Sequence, residues 1–375
     1  MNLSEADVNR MREAMELASL GSHSVAPNPL VGCIIQAENG RIIGKGWHAK
    51  FGEAHAEANA FQSVAESDRH LLPKSTWYVT LEPCNHFGKT PPCAELIQSV
   101  QPQRVVVGLW DPNTLVKGAG AERLKRAGIQ IDGPCLTHEL QWQNRRFLHN
   151  QQQGQTWIVL KWAASHDGYM DGRLETERIK GAGGFPITGE EARSVTHAWR
   201  AMEHGIAVGA NTVLIDEPQL TVRAAAGSSP RPVILDPHGI VPSDHPVFQM
   251  HPDAIHVVES SDLTHHSMKC PWRMEDGLGE LKKRLFQDFG VSSLLVEGGA
   301  TVLEAFLYAN EWDELRTWTA PNFLGAGLKA PNLPDSCIPP PSSETCQDWC
   351  GSDRWNWWVH AKHAETFGLP LPSRP

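Results

Sequence analysis

His55-Ala56-Glu57 and the run Glu82-Pro83-Cys84-Asn85-His86-Phe87-Gly88-Lys89-Thr90-Pro91-Pro92-Cys93 decide how this chain is read. One histidine and two cysteines form a three-ligand set for zinc, with a fourth tetrahedral position left for water. Zinc lowers the pKa of bound water towards roughly 7, so hydroxide becomes available at neutral pH. A glutamate two residues from the histidine, here Glu57, is placed to shuttle protons between that water and a leaving group. Such a set suits hydrolytic deamination at an amidine-like ring carbon. The plain alternative, a packing histidine and two buried thiols, fits each residue alone but not the set in this order.

The flanking pattern agrees. Residues 55–65 are rich in alanine and read as a helix with His55 and Glu57 in its first turn. Residues 76–81 are β-branched and aromatic, a buried strand that delivers Pro83-Cys84 at its end. Pro91-Pro92-Cys93 opens a second helix, where a proline's missing N–H costs nothing. The helix dipole there favours a thiolate on Cys93. His-x-Glu followed by Pro-Cys is the order found in zinc deaminases of nucleobases. Here eight residues separate Cys84 from Cys93, where that signature has two.

Working outward, residues 4–20 form an amphipathic helix started by Ser4 and Asp7. Pro27-Asn28-Pro29 is a rigid turn before a strand at 30–36, and Asn39-Gly40 signals a hairpin to 41–46. Trp47-His48 leads into the zinc helix, which makes His48 a substrate-pocket residue. After Cys93 come a helix (94–100), a strand (104–109), a helix (120–127) and a short strand near Ile129. That alternation gives a layered α/β sheet. The loop 111–118 follows a strand end, where ligands of such sheets bind. Its Lys117 either meets a substrate phosphate or is solvated. Residues 139–147 read as a polar helix and 150–155 as a linker, which divides the chain into domains 1–150 and 151–375.

Pro27-Asn28-Pro29-Leu30-Val31-Gly32-Cys33, His55-Ala56-Glu57, Leu81-Glu82-Pro83-Cys84, the long insert with Thr90-Pro91-Pro92-Cys93, and Asp111-Pro112-Asn113 resemble the deaminase half of the bifunctional riboflavin-biosynthesis deaminase/reductases. The insert separates that family from cytidine, deoxycytidylate and tRNA-adenosine deaminases. The second half carries Ile187-Thr188-Gly189-Glu190-Glu191-Ala192-Arg193, Gly209-Ala210-Asn211-Thr212, Asp216-Glu217-Pro218-Gln219-Leu220-Thr221-Val222-Arg223 and Leu294-Leu295-Val296-Glu297-Gly298-Gly299-Ala300. These runs resemble the reductase half. The resemblance implies a cytidine-deaminase-like three-layer domain followed by a dihydrofolate-reductase-like domain. It implies Zn2+ on His55, Cys84 and Cys93, with Glu57 catalytic. It implies NADPH against Ala164, Thr212, Asp216, Gly299, Ala300 and Thr301, and substrate against Asn28, His48, Arg200, Leu220, Arg223 and Glu297. Asp216 is also read as a catalytic polar group near the reacting sugar. One departure stands out: many members carry Ser-x-Trp where this chain has Gly184-Phe185-Pro186.

The residues of the second half say less by themselves. Residues 294–296 form a buried strand, Gly298-Gly299 a turn and 301–308 a helix, and such a turn suits a cofactor phosphate. No Gly-x-Gly-x-x-Gly is present, so a standard dinucleotide-binding Rossmann unit is not indicated. A guanidinium fork matches phosphate oxygens, which makes Arg200 and Arg223 phosphate ligands if they are not merely solvated. The tail 337–358 ends in Trp355-Asn356-Trp357-Trp358 and reads as an edge strand on the second domain or a dimer interface. No nearby histidine or fourth cysteine completes a metal set with Cys337, Cys346 and Cys350.

The chain's 375 residues suit two cores rather than one. A net charge of −10 offers no overall basic field for nucleic acid. No apolar run reaches membrane-span length, and Met1-Asn2-Leu3-Ser4 lacks a signal pattern. Scattered cysteines fit a reducing cytoplasm. The expected partner is a small pyrimidine ribosyl phosphate, with no membrane and no nucleic acid, and the expected assembly is a homodimer or higher homo-oligomer. Three rivals stay open from sequence alone: a single-stranded nucleic-acid deaminase with an accessory domain, a binding protein with structural zinc, and a deaminase whose reductase half is inactive or divergent.

Overall fold

The computed structural model describes residues 3–85, 91–111, 118–259, 267–274, 276–341 and 344–369. The chain divides into two compact units, Met1–Gln153 and Gly154–Pro375.

In the first unit the strands are β1 (Gly32–Gln36), β2 (Ile42–Trp47), β3 (Thr76–Leu81), β4 (Arg104–Leu109) and β5 (Gln130–Asp132). They form one sheet in the order β2-β1-β3-β4-β5. The first two pairings are antiparallel and the last two parallel. The helices are α1 (Glu5–Ser19), α2 (Ala56–Gln62), α3 (Cys93–Val100), α4 (Ala119–Arg126), α5 (Thr137–Gln143) and α6 (Arg145–Gln153). Strand alternation splits the core in two. Cys33, Ile35, Trp77, Val79, Val105 and Val107 face α2, α3 and α4. Ile34, Tyr78 and Val106 face α1 and α5. Three layers result, as the resemblance implied.

Local chemistry accounts for the element ends. Ser4 and Asp7 close a reciprocal capping box on α1. Gly40 takes a φ of 85° in the β1–β2 turn, a value that favours glycine over any L side chain. The expected linker at 150–155 is instead helical as far as Gln153. Glutamine is a good helix former, and nothing breaks the run before Gly154, at φ 65°.

In the second unit the strands are β6 (Trp157–Ala164), β7 (Tyr169–Asp171), β8 (Gly205–Gly209), β9 (Arg231–Leu235), β10 (Ile255–Val258), β11 (Ser267–Lys269), β12 (Ser293–Val296), β13 (Glu314–Thr319), β14 (Leu328–Lys329), β15 (Cys337–Ile338), β16 (Gln347–Cys350) and β17 (Asp353–His360). Its helices are α7 (Glu190–Ala201), α8 (Ala210–Asp216), α9 (Pro246–Met250), α10 (Gly277–Gln287), α11 (Ala300–Tyr308) and α12 (Ala364–Phe367). The main sheet runs β11-β10-β9-β8-β12-β6-β13-β17-β15. It is parallel from β11 to β13, then antiparallel where β17 joins.

The tryptophan-rich tail is therefore not an edge: β17 pairs with β13 on one side and with β15 and β16 on the other. Its aromatics are used within the unit. Trp199 stacks on Trp318 at 5.3 Å and meets Trp355 at 6.1 Å. The Arg316 guanidinium lies 5.4 Å from the Trp199 ring and 5.2 Å from that of Trp357. Among the described residues no helix is long and apolar enough to cross a membrane.

One contact sets the position of α2. A Cβ at Gly46 would lie 2.2 Å from the Ala60 nitrogen and 2.5 Å from the Ala56 oxygen, both backbone atoms that cannot swing aside. Gly46→Ala should therefore destabilise the first unit by about 1–3 kcal/mol, the usual cost of overpacking. Its thermal unfolding transition should fall while that of the second unit holds.

Candidate active sites

The first site is assembled by three element ends. His55 is the N-cap of α2 and makes no capping hydrogen bond with its side chain, so the ring is spare for other work. Cys84 follows the end of β3, and Cys93 is the first residue of α3. Cys84 Sγ lies 3.5 Å and Cys93 Sγ 3.3 Å from His55 Nδ1. All three donor atoms fall within 4.8 Å of one another. Tetrahedral zinc with ordinary Zn–N and Zn–S bonds holds such nitrogen and sulfur atoms about 3.6 Å apart. The donor set and its spacing both fit zinc.

The thiols share their protons unequally. The Cys93 thiol beside it, opposed by burial and aided by His55, pulls Cys84 well below the usual thiol range. Cys93 is pushed up by the same hydrogen bond, by burial and by Glu57. The Cys93 N–H also donates to Cys84 Sγ at 3.3 Å. Glu57, in the first turn of α2, is buried, and burial with the Cys84 charge nearby raises its pKa to about 7.

A cavity of ≈ 340 Å³ opens on this cluster, lined among others by Asn28, His48, His55, Glu57, Cys84 and Asp111. His48 Nδ1 lies 3.1 Å from the Ala54 carbonyl, which can only accept. That contact puts the proton on Nδ1 and leaves Nε2 to accept from Asn28 Nδ2 at 3.1 Å. The Asn28 amide is thereby oriented, with its oxygen left for another donor. Burial lowers the pKa of His48, so the ring stays neutral in this role.

In the second unit the expected cofactor residues gather at the C-terminal ends of parallel strands, where ligands of such sheets bind. Ala164 ends β6, Gly209 ends β8 ahead of α8 with Thr212 and Asp216, and Gly298-Gly299 follows β12 into α11 with Ala300 and Thr301. Thr212 Oγ1 accepts from the Gly299 N–H at 3.2 Å. A Cβ on Gly298 would come within 3.1 Å of the Gly209 nitrogen, so glycine lets the two turns meet. A turn of this kind, open at a helix N-terminus, fits a dinucleotide phosphate.

Beside it Arg200 grips Glu297 with both prongs, at 2.8 Å each, and its third nitrogen donates to the Thr221 carbonyl. Arg200 thus spends its fork inside the protein. Lys161 Nζ stands 3.7 Å from the same carboxylate. Burial opposes the charge on Glu297, but Lys161 and Arg200 win and bring its pKa to about 2. Arg223 is exposed; its backbone N–H donates to His197 Nδ1 at 3.2 Å. Leu220, buried with a φ of 53°, precedes it. Asp216 meets Arg173 at 3.4 Å, and burial raises its pKa.

Comparison with known proteins places this geometry. Residues 4–109 match the family model of the cytidine and deoxycytidylate deaminase zinc-binding region, and residues 156–337 match that of the RibD C-terminal domain. The riboflavin biosynthesis protein RibD of Aquifex aeolicus is 35% identical over 336 residues, 88% of this chain and 91% of its own. The chain belongs to the RibD family. The solved structure of Acinetobacter baumannii RibD superposes with a TM-score of 0.80 at 30% identity, covering 95% of this chain and 99% of that one. A diaminohydroxyphosphoribosylaminopyrimidine deaminase/5-amino-6-(5-phosphoribosylamino)uracil reductase from Thermotoga maritima covers the same shares, with a TM-score of 0.79 and 29% identity. As a RibD-family member the chain is a bifunctional deaminase and reductase of riboflavin biosynthesis, using zinc in the first unit and NADPH in the second.

Two residues escaped the sequence reading. Lys161 is a lone charge in the otherwise apolar strand β6, a visible signal of a special environment. Arg173 links Asp171 and Asp216, which only the fold brings together. Its guanidinium also lies 5.8 Å from the Phe185 ring, so the divergent Gly184-Phe185-Pro186 run packs beside Asp216's partner. Lys117 and residues 112–113, expected near the substrate, lie outside the described residues.

The metal cluster makes a direct forecast. Metal analysis should find about one zinc per chain, and Cys84→Ala should lose most of it. Full zinc retention in that variant would remove the assignment.

Proposed function

We propose that His55, Cys84 and Cys93 hold the zinc, that Glu57 is the proton carrier, and that the cavity beside them takes the pyrimidine of 2,5-diamino-6-(5-phosphoribosylamino)pyrimidin-4-one. The observation that carries this is the convergence of those three donors at one end of a cavity with a buried carboxylate beside them. Zinc, when bound, supplies the acidity that makes water a nucleophile at neutral pH, and NADPH, when bound, supplies a hydride.

Glu57 takes a proton as the water oxygen adds to the ring carbon bearing the exocyclic amine. It passes that proton to the ring nitrogen, then takes the remaining proton of the added hydroxyl and gives it to the amine, which leaves as ammonia as the carbonyl forms. Asn28, oriented by His48, offers its amide oxygen to an N–H donor on the ring. In the second unit the bound cofactor would reduce the anomeric carbon of the ring-opened ribosyl group, and with a proton taken up at the heteroatom of that double bond the ribityl product would form. Glu297, held ionised by Lys161 and Arg200, faces that substrate. Arg223 takes its phosphate, and Asp216 lies beside the reacting sugar. Ala164, Thr212, Gly299, Ala300 and Thr301 hold the cofactor. Eight scattered cysteines support a cytoplasmic location, and the exposed Trp349 supports self-association as a homodimer or higher homo-oligomer.

Glu57→Gln should keep zinc and fold but lose deamination by at least the roughly 10²-fold typical of general acid–base groups. Ammonia release at a near-normal rate would point to another catalyst.

The reductase roles are tested at Arg223. Arg223→Ala removes a charge-assisted contact worth about 1.5–3 kcal/mol, a roughly 10- to 150-fold loss of substrate affinity. NADPH binding, titrated on the same variant, should be nearly unchanged. Lysine at this position restores charge but not the fork, and should recover part of the loss. A loss confined to NADPH would exchange the two subsites.

A further inference from the structure

Glu82 sits two residues before Cys84 and is buried, yet the deamination step described above gives it no task. Its carboxylate accepts four backbone N–H groups. Oε2 takes those of Asp111 at 3.2 Å and Gly118 at 2.9 Å, while Oε1 takes those of Gly120 at 3.1 Å and Ala121 at 3.2 Å. The first N–H groups of an α-helix have no partner within the helix, and here the first turn of α4 finds them on a strand end. The fit is close: a Cβ on Gly120 would stand 2.0 Å from the Pro83 carbonyl oxygen. One side chain therefore joins Pro83-Cys84, the Asp111 wall of the cavity and α4.

We infer that Glu82 is a positioning residue for deamination, fixing Asp111 at the cavity wall by tying it and the start of α4 to one strand end, so that the pyrimidine is seated in register with Glu57. The inference rests on reading that cavity as the deamination site. A buried carboxylate accepting four N–H groups holds both flanks of residues 112–117 to the backbone that presents Cys84. An amide at this position would turn an NH2 group towards two of those N–H donors. The substrate wall would then shift, while the donors His55, Cys84 and Cys93, which accept none of these four N–H groups, stay in place.

The test is Glu82→Gln in the full chain, beside Glu57→Gln. Glu82→Gln should raise KM for the diaminopyrimidine roughly 10-fold or more, with a smaller fall in kcat. Zinc content should be unchanged. Reduction of the deaminated substrate, measured on the same sample, should also be unchanged. Loss of zinc together with kcat at constant KM would make Glu82 a plain structural brace and overturn the inference. Unaltered kinetics would overturn it too. A Glu57→Gln variant that still deaminates would instead overturn the reading of the cavity. Should Glu82→Gln fail to fold, amide exchange of the unmodified protein decides. Gly118, Gly120 and Ala121 should exchange as slowly as the sheet core, and unprotected exchange there would end the proposal.

Discussion

Three donor atoms from the ends of three elements meet within 4.8 Å of one another, and the packing of the first unit is what brings them there. His55 is the residue before α2, Cys84 the residue after a strand-end proline, and Cys93 the first residue of α3. None of these positions is useful unless β2, β3 and the two helices hold their spacing to a fraction of an ångström. Glycine does that work at β2: Gly44 and Gly46 bring the backbone of α2 onto the strand with no side chain between them. The cost is conformational entropy in the unfolded chain. The return is a helix start that cannot slide along the sheet.

The second unit solves a different problem. Its parallel strands end on one side, and the turns after β8 and β12 come close enough to share the Thr212–Gly299 hydrogen bond. That arrangement brings two turns together through backbone, with glycine at the point of approach. The charged groups next to it are paired with one another, Arg200 and Lys161 on the Glu297 carboxylate. The tail reinforces this frame from the antiparallel side: Glu314 accepts from both Trp157 and Trp357, which ties β13 to β6 and to β17.

How much of this the sequence disclosed depends on the length scale of the cause. Residues 76–81 and 104–109 read as strands to the residue, because alternation and β-branching are local. The capping box at Ser4 and the turn at Asn39-Gly40 were legible for the same reason. The donor set was legible because its spacing is chemical. What stayed hidden was tertiary. The bidentate pairing of Arg200 with Glu297, ninety-seven positions away in sequence, has no local signal. The helical reach of α6 to Gln153 was missed because a polar, glutamine-rich run satisfies both a linker and a helix. The interior place of β17 depends on partners far off in the chain, so its tryptophans looked like an exposed edge.

Two buried carboxylates show how one fold obtains opposite chemistry from the same side chain. Burial alone disfavours the charge on any carboxylate. From the protein's own groups alone, burial and the Cys84 thiolate raise the pKa of Glu57 to about 7. At Glu297 two cations lie within reach, Arg200 in bidentate contact and Lys161 at 3.7 Å, and the pKa falls to about 2. A group that never protonates near neutrality is useless as a shuttle but well suited to hold a position and a sign of charge. Lys161 pays the complementary cost, since burial lowers its own pKa despite the carboxylate beside it. Burial acts against the charge at both groups, so the opposite directions of their shifts follow from the charges placed beside them.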